Sequence, residues 1–162
     1  MKMFQIIKNL QINFRPQVVM IDYEKAVMNA IQQEFMGVKI HACYFHLCQN
    51  IYRKVCEAGL KSDYDNIFEV KILFRSLTAL AFVPMADVPY VFEEISSIFP
   101  EDETYKAILR YFESTYIENE NGGPALFRPN IWNQFESILN GEPRTNNGLF
   151  VVLQVLKGFF ES

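Results

Sequence analysis

One stretch near the start of the chain restricts the fold more than any other. A continuous apolar run from Val18 to Ile21 ends on Asp22, and an amphipathic helical pattern follows over about 24–35. A second short strand-like run, 38–42, precedes another helical pattern that extends to about Ala58. A continuous apolar run is typical of a strand covered on both faces. The order strand, helix, strand, helix therefore predicts a parallel pair of strands with a right-handed crossover.

The rest of the sequence has helical patterns only. The predicted helices span about 62–82, 87–98, 104–116, 131–139 and 148–160, with Asp87 as the cap of the second. Two strands are too few for a free-standing sheet with exposed edges. Either further strands lie outside this chain, or helices cover the pair. The predicted class is α/β in both cases.

Composition excludes several classes of protein. Half of the 162 residues are apolar and 21% are charged, which is typical of a globular domain rather than a disordered chain. The formal net charge is −4, and no run of Lys or Arg is present, which argues against a strong binder of duplex DNA. No apolar run reaches the roughly 18–20 residues that a membrane span needs.

The cysteines indicate a reducing compartment. Cys43, Cys48 and Cys56 form an odd cluster, which does not suit a disulfide framework. A zinc site built from His41, Cys43, His46 and Cys48 is not favoured, because the spacing lacks a second ligand pair.

A series of short motifs identifies the chain further. They are Met20 to Ala26, Cys43 to Ile51, Leu80 to Pro84, Tyr111-Phe112 with Tyr116-Ile117, Trp132-Asn133, and Arg144-Thr145-Asn146-Asn147. In order and spacing they resemble the Mutator-like element (MULE) transposase domain over about 14–147. The resemblance implies the C-terminal portion of that domain, as one partial domain over 1–162. It implies a partial RNase H-like fold (14–58), a large and mostly helical insertion (62–140) and a final helix (144–160).

The resemblance also implies a chemistry, namely DNA strand cleavage and transfer at an Asp-Asp-Glu site with Mg²⁺ or Mn²⁺. Asp22 matches the second Asp and is the predicted catalytic residue and metal ligand. The first Asp is expected upstream of the matched region. The third carboxylate position is occupied by Phe150, and no acidic residue lies between Pro143 and Phe160. Two-metal cleavage needs carboxylates that hold ions about 3.5–4 Å apart. We therefore expect the isolated chain to be inactive.

Other interpretations of the motif residues remain open. Asp22 could cap the helix that follows it. The resemblance places Cys43 and His46 near the active site, although a buried structural pair is an alternative. Trp132-Asn133 is expected to anchor the insertion on the core, with a partner for the indole N–H.

The last motif also has structural interpretations. Arg144 could contact a DNA phosphate, cap a helix end or meet a carboxylate. Asn146 and Asn147 suit an N-cap turn. Together with Thr145, we treat these residues as markers of the motif rather than as catalytic groups.

Two functions from different classes follow from this sequence. The first is a fragment of a transposase for DNA transposition, with transposon ends as partner and a nuclear location implied by the resemblance. The second is a transposon-derived, non-catalytic module that binds protein or DNA through the helical insertion. A decayed gene product is a third interpretation. Homo-oligomerisation stays open, and no membrane partner is expected.

Overall fold

The two predicted strands form a parallel pair. The computed structural model describes residues 6, 9, 15–118 and 121–141. Strands β1 (Val18–Ile21) and β2 (Lys39–Ala42) lie in register, with Val18 beside Lys39 and Ile21 beside Ala42. Helix α1 (Lys25–Glu34) connects them, and helix α2 (Tyr44–Glu57) follows β2. The predicted order of elements in this part of the chain is confirmed.

Helix α2 has a regular apolar face and a regular end. Leu47, Ile51 and Val55 are buried at a spacing of four residues, as the pattern predicts. Gly59 has a φ of 81° and ends the helix. Its N–H donates to the Cys56 carbonyl at 3.0 Å, and the Leu60 N–H donates to the Val55 carbonyl at 3.0 Å. This is a Schellman motif, which satisfies carbonyls at the end of a helix.

Short helices make up the remainder of the described chain. They are α3 (Lys61–Asn66), α4 (Phe68–Ala79), α5 (Val88–Ser97), α6 (Glu103–Phe112), α7 (Pro129–Trp132) and α8 (Phe135–Leu139). Two 3₁₀ turns, Leu80–Phe82 and Met85–Asp87, lie between α4 and α5, and a π-helical turn, Glu113–Ile117, follows α6. The fold is mixed α/β and mostly helical.

The prediction of one long helix over 62–82 is wrong. The chain leaves the helical conformation at Ile67, which has φ −108° and ψ 113°, and a new helix begins at Phe68. The Asn66 side chain donates to the Ser62 carbonyl at 2.8 Å, and such local bonds compete with helix continuation. The β-branched Ile67 favours extended backbone. The sequence also suggests Ser62 as the cap of this long helix, but Leu60 holds the N-cap position of α3.

The predicted helix over 131–139 is also two helices. Asn133 is extended between them, with ψ 135°. Its Oδ1 accepts a hydrogen bond from the Phe135 N–H at 3.0 Å, which supports the start of α8. The predicted last helix, 144–160, lies outside the described residues.

One hydrophobic cluster includes side chains from both the strand-containing part (up to 61) and the helical part (62–140). It contains Ile31, Ile40 and Leu47 from the first part, together with Phe74 and Trp132 from the second. Helix α4 packs against α2, and α7 packs against β2. A helix therefore packs against β2, as one of the two alternatives predicts for the pair. No helix in the described part of the chain is long and apolar enough to span a membrane.

Candidate functional site

The site is built at the carboxyl ends of the two strands. Asp22 follows β1 directly and Cys43 follows β2 directly, while Ile21 and Ala42 are paired. The Cys43 N–H donates to the Ile21 carbonyl at 2.8 Å, which extends the strand pairing by one residue. Ligands of open α/β sheets lie beyond this end of the strands. The sequence motifs around Asp22 and Cys43 are thus adjacent in the fold.

His46 meets Asp22 across this edge. It lies in the first turn of α2, and its Nδ1 is 2.9 Å from Asp22 Oδ1. The two atoms are in close polar contact, but their geometry is not that of a hydrogen bond. The Asp22 side chain is 50% exposed and that of His46 is 24% exposed, so both remain accessible to a ligand.

Asp22 does not hold the N-cap position of α1. Glu24 occupies the N-cap position of α1, and its side chain makes no capping hydrogen bond. Asp22 stands two residues earlier, with its backbone carbonyl accepting from the Glu24 N–H at 2.8 Å. Its carboxylate lies beside His46.

Cys43 is less exposed than Asp22 and His46, the other two residues at this edge. It is fully buried at the N-cap position of α2. A buried thiol in an apolar environment is an inert packing group. The buried structural interpretation therefore fits Cys43, whereas the part-exposed His46 faces the Asp22 carboxylate.

Few ligands for a metal are present at this edge. Within residues 15–118 and 121–141, no group of three or more His, Cys, Asp and Glu side chains could hold a metal ion. Mg²⁺ is commonly bound by one or two carboxylates together with water and substrate phosphates. Asp22 supplies one carboxylate, and His46 is a poor ligand for that ion. The described residues therefore do not fit a two-metal centre.

An aromatic layer lies beneath the site. The Tyr23 ring packs edge-on against the rings of Tyr116 and Phe127, at 5.6 and 5.1 Å. Burial raises the pKa of Tyr23 well above its usual value, and the nearby Tyr116 raises it further. Burial is also the main cause that raises the pKa of Tyr116, whose hydroxyl accepts from Asn50 Nδ2 at 3.3 Å. Both phenols are therefore neutral near pH 7.

Trp132 and Asn133 hold separate segments of the helical part together. Trp132 is fully buried, and its indole N–H donates to the carbonyls of Tyr116 and Phe127, at 2.9 and 3.1 Å. Asn133 Nδ2 donates to the Val83 carbonyl at 2.8 Å. The indole N–H has the partner that the sequence predicts, but these three hydrogen bonds all lie within the helical part. Contact with the strand-containing part comes from the packing of α7 against β2.

Gln134 makes a hydrogen bond from the helical part to β2, and the sequence analysis missed it. Its side chain is fully buried, and Nε2 donates to the carbonyls of Ala42 and Trp132, at 3.1 and 3.2 Å. Cys43 donates its N–H toward β1, so the carbonyl of the preceding Ala42 points away from β1. Gln134 therefore covers the outer edge of β2 beside Cys43. No spacing in the sequence indicates this contact, because ninety-two residues separate the two partners.

One family model matches the part of the chain that contains the candidate site. Residues 2–50 match the model described as the MULE transposase domain. The first part of the chain is therefore similar to a MULE transposase domain, and the match covers less than a third of the chain. The match contains Asp22, Cys43 and His46 and ends at Asn50, before the helical part. No curated protein matches the chain, and no solved structure matches it either.

The remaining predicted motif residues cannot be placed. Arg144, Thr145, Asn146 and Asn147 lie outside the described residues, and so does Phe150. Their membership of the resemblance stays a prediction from the sequence.

Proposed function

We propose that the chain is a fragment of a MULE-type transposase domain that keeps one end of an RNase H-like, Asp-Asp-Glu site. The observation that carries this proposal is the position of Asp22, beyond the carboxyl end of β1 and beside the end of β2, within the matched residues. In this proposal 14–58 is the RNase H-like portion, 62–140 is the helical insertion and 144–160 is the final helix. Activity on transposon ends, and with it a nuclear location, belongs to the ancestral transposase.

The fragment is proposed to be catalytically inactive. Asp22 is one carboxylate, whereas two-metal cleavage needs several. The sequence position of the third carboxylate is Phe150, which cannot bind a cation. What remains is a weak site at which Asp22 binds one divalent ion.

The first test is thermal melting with increasing Mn²⁺. We expect Mn²⁺ to raise the melting temperature of the wild type and of Asp87→Ala, a control that removes another exposed carboxylate. The shift should be lost in Asp22→Ala. Equal shifts in all three proteins, or none, would show that Asp22 is not a metal ligand.

Inactivity is tested separately with supercoiled plasmid and Mg²⁺. We expect no nicking above that of a buffer control. Robust Mg²⁺-dependent cleavage that Asp22→Ala abolishes would refute the proposed inactivity and would favour a working transposase.

The charge distribution favours a second candidate function for the helical part. Residues 1–61 contain eight Lys or Arg and four Asp or Glu, whereas 62–140 contain five Lys or Arg and thirteen Asp or Glu. A phosphate backbone is repelled by such an acidic surface. DNA contact is therefore proposed for the first part of the chain, and protein contact for the helical part.

Exposed apolar side chains of the helical part support the protein-binding candidate. Phe68 is 70% exposed and Tyr90 is 65% exposed. Contiguous apolar patches mark protein-binding surfaces, and this proposal takes Phe68 as part of such a patch. Size-exclusion chromatography with light scattering, on wild type and on Phe68→Ser, would show whether this surface also supports homo-oligomerisation.

A further inference from the structure

The outward face of α2 has an unusual composition next to the candidate site. Its exposed side chains include Phe45, Gln49 and Arg53, at a spacing of four residues. The face opposite to them carries the buried Leu47, Ile51 and Val55. We call Phe45, Gln49 and Arg53 the α2 outer face.

Phe45 is an aromatic ring exposed beside Asp22 and His46. It is 51% exposed, and its ring lies 5.5 Å from the His46 ring in an edge-on arrangement. His46 in turn contacts Asp22. An exposed aromatic ring has a free face on which a nucleobase stacks, whatever the base.

Arg53 supplies a positive charge on the same face. It forms no ion pair with any residue that the structure describes, and its side chain is exposed. Its neighbour Lys54 is engaged elsewhere, since its ammonium is 2.6 Å from Glu57 and lies over the Tyr111 ring. The same ion pair offsets the charge of Glu57, which is the nearest carboxylate along this face.

The spacing of the two groups suits an extended strand. Phe45 and Arg53 are eight residues apart, which is about 12 Å along a helix at about 1.5 Å per residue. Gln49 lies between them and offers both a donor and an acceptor. A stacking group followed by polar and cationic groups is the arrangement by which proteins bind single strands without reading their sequence.

We propose that the α2 outer face binds unpaired DNA next to Asp22, with Phe45 stacking on a base and Arg53 contacting a phosphate. This inference rests on the proposed function, because it assumes that DNA binds at the carboxyl ends of β1 and β2, where Asp22 lies. It names the residues that hold the strand and the form of DNA that is held. The acidic helical part has no share in this contact.

The proposal is tested by fluorescence anisotropy of the full chain with a labelled oligothymidine of about 20 nucleotides, with the matching duplex beside it. We expect the single strand to bind more tightly than the duplex. Phe45→Ala should weaken single-strand binding about tenfold, since one stacked base contributes about that much. Phe45→Trp should keep the affinity, because it keeps a stacking surface.

Arg53 has a readout of its own. Arg53→Gln should lower the affinity and reduce the slope of log K against log salt concentration by about 0.7, the value for one phosphate contact on a single strand. The matched controls are Tyr90→Ala and Arg75→Gln, which remove an exposed aromatic ring and an exposed arginine from the helical part. Both controls should bind as the wild type does. Circular dichroism melting checks that each variant is folded.

The outcomes separate this inference from the proposed function. Wild-type binding that Phe45→Ala and Arg53→Gln leave unchanged overturns the role of the α2 outer face and leaves DNA as the ligand. Tighter binding of the duplex also overturns it. A wild type that binds neither form of DNA refutes DNA contact in the proposed function, and the present inference with it.

Discussion

Two tyrosines beneath the site, Tyr23 and Tyr116, differ in the hydrogen bonding of their hydroxyl oxygens. The Tyr23 hydroxyl is buried and has no hydrogen-bond partner in the described part of the chain, whereas the Tyr116 hydroxyl accepts from Asn50. A buried polar group without a partner costs free energy that an apolar replacement recovers. We expect Tyr23→Phe to leave the free energy of unfolding unchanged or to raise it by up to about 1 kcal/mol, and Tyr116→Phe to lower it by about 1 kcal/mol. Urea unfolding measures both, and equal losses would show that Tyr23 has a partner.

The same tyrosines predict a loss of stability in alkali. Burial raises the pKa of both phenols in the folded state above the value near 10 of an unfolded chain. A raised folded-state pKa means that the stability is complete below about pH 10 and falls as the pH rises above it, because the unfolded chain then loses protons first. The free energy of unfolding of Tyr23→Phe should fall less steeply above about pH 10. A parallel fall in both proteins would contradict this assignment.

Residue identity at the site was predictable only where a motif carried it. Asp22, Cys43 and His46 were found from their order along the chain, and the paired strand ends explain why they are adjacent. Gln134 was not found, because a glutamine that bonds to one distant carbonyl leaves no periodic signal. The lack of a hydrogen-bond partner for the Tyr23 hydroxyl among the described residues could not be predicted either, since it depends on what surrounds the side chain after folding.

At the scale of elements, the backbone conformation at the C-terminal end of α2 limits which residue types fit at position 59. Gly59 has a φ of 81°, and a Cβ built there would meet no atom within 4 Å. The cost of a side chain is therefore that of the left-handed backbone alone, about 1–2 kcal/mol. We expect Gly59→Ala to lower the free energy of unfolding by that amount and Gly59→Asn to lower it less, because asparagine tolerates this conformation. A cost of Asn that equals or exceeds that of Ala would argue against the Schellman geometry.

Element types were predictable where the apolar period was long, and the boundaries were not. The regular stripe Leu47, Ile51, Val55 predicted α2 almost to its ends. The break at Ile67 depends on a competing side-chain bond from Asn66, which the apolar pattern does not contain. The break at Asn133 depends on its contacts with Val83 and Phe135. Local polar bonds therefore decided the boundaries that periodicity left undetermined.

At the scale of the whole molecule, a shared core predicts that the strand-containing part and the helical part unfold together. Leu77 of α4 is fully buried in the cluster that also contains Leu47 and Ile51 of α2. Leu77→Ala removes packing from both parts at once and should lower the free energy of unfolding by about 2–5 kcal/mol.

The chain carries separate reporters for the two parts. Trp132 is its single tryptophan and lies in the helical part, and its two histidines, His41 and His46, lie in the strand-containing part. Tryptophan fluorescence and the histidine ring signals in NMR, followed in one urea series, should give the same midpoint in the wild type. In Leu77→Ala both midpoints should fall together, as a two-state transition requires.

Histidine signals that stay native after the tryptophan has become exposed would show two units that unfold independently. In that case Trp132 and Gln134 would not couple the helical part to the strand ends, and the Asp22 edge would be stable without it. A common midpoint has the opposite consequence, because a cavity in α4 then destabilises the edge at which Asp22 and His46 meet. The stability of the Asp22 site would in that case depend on the helical part, through the shared core and the Gln134 hydrogen bond to Ala42.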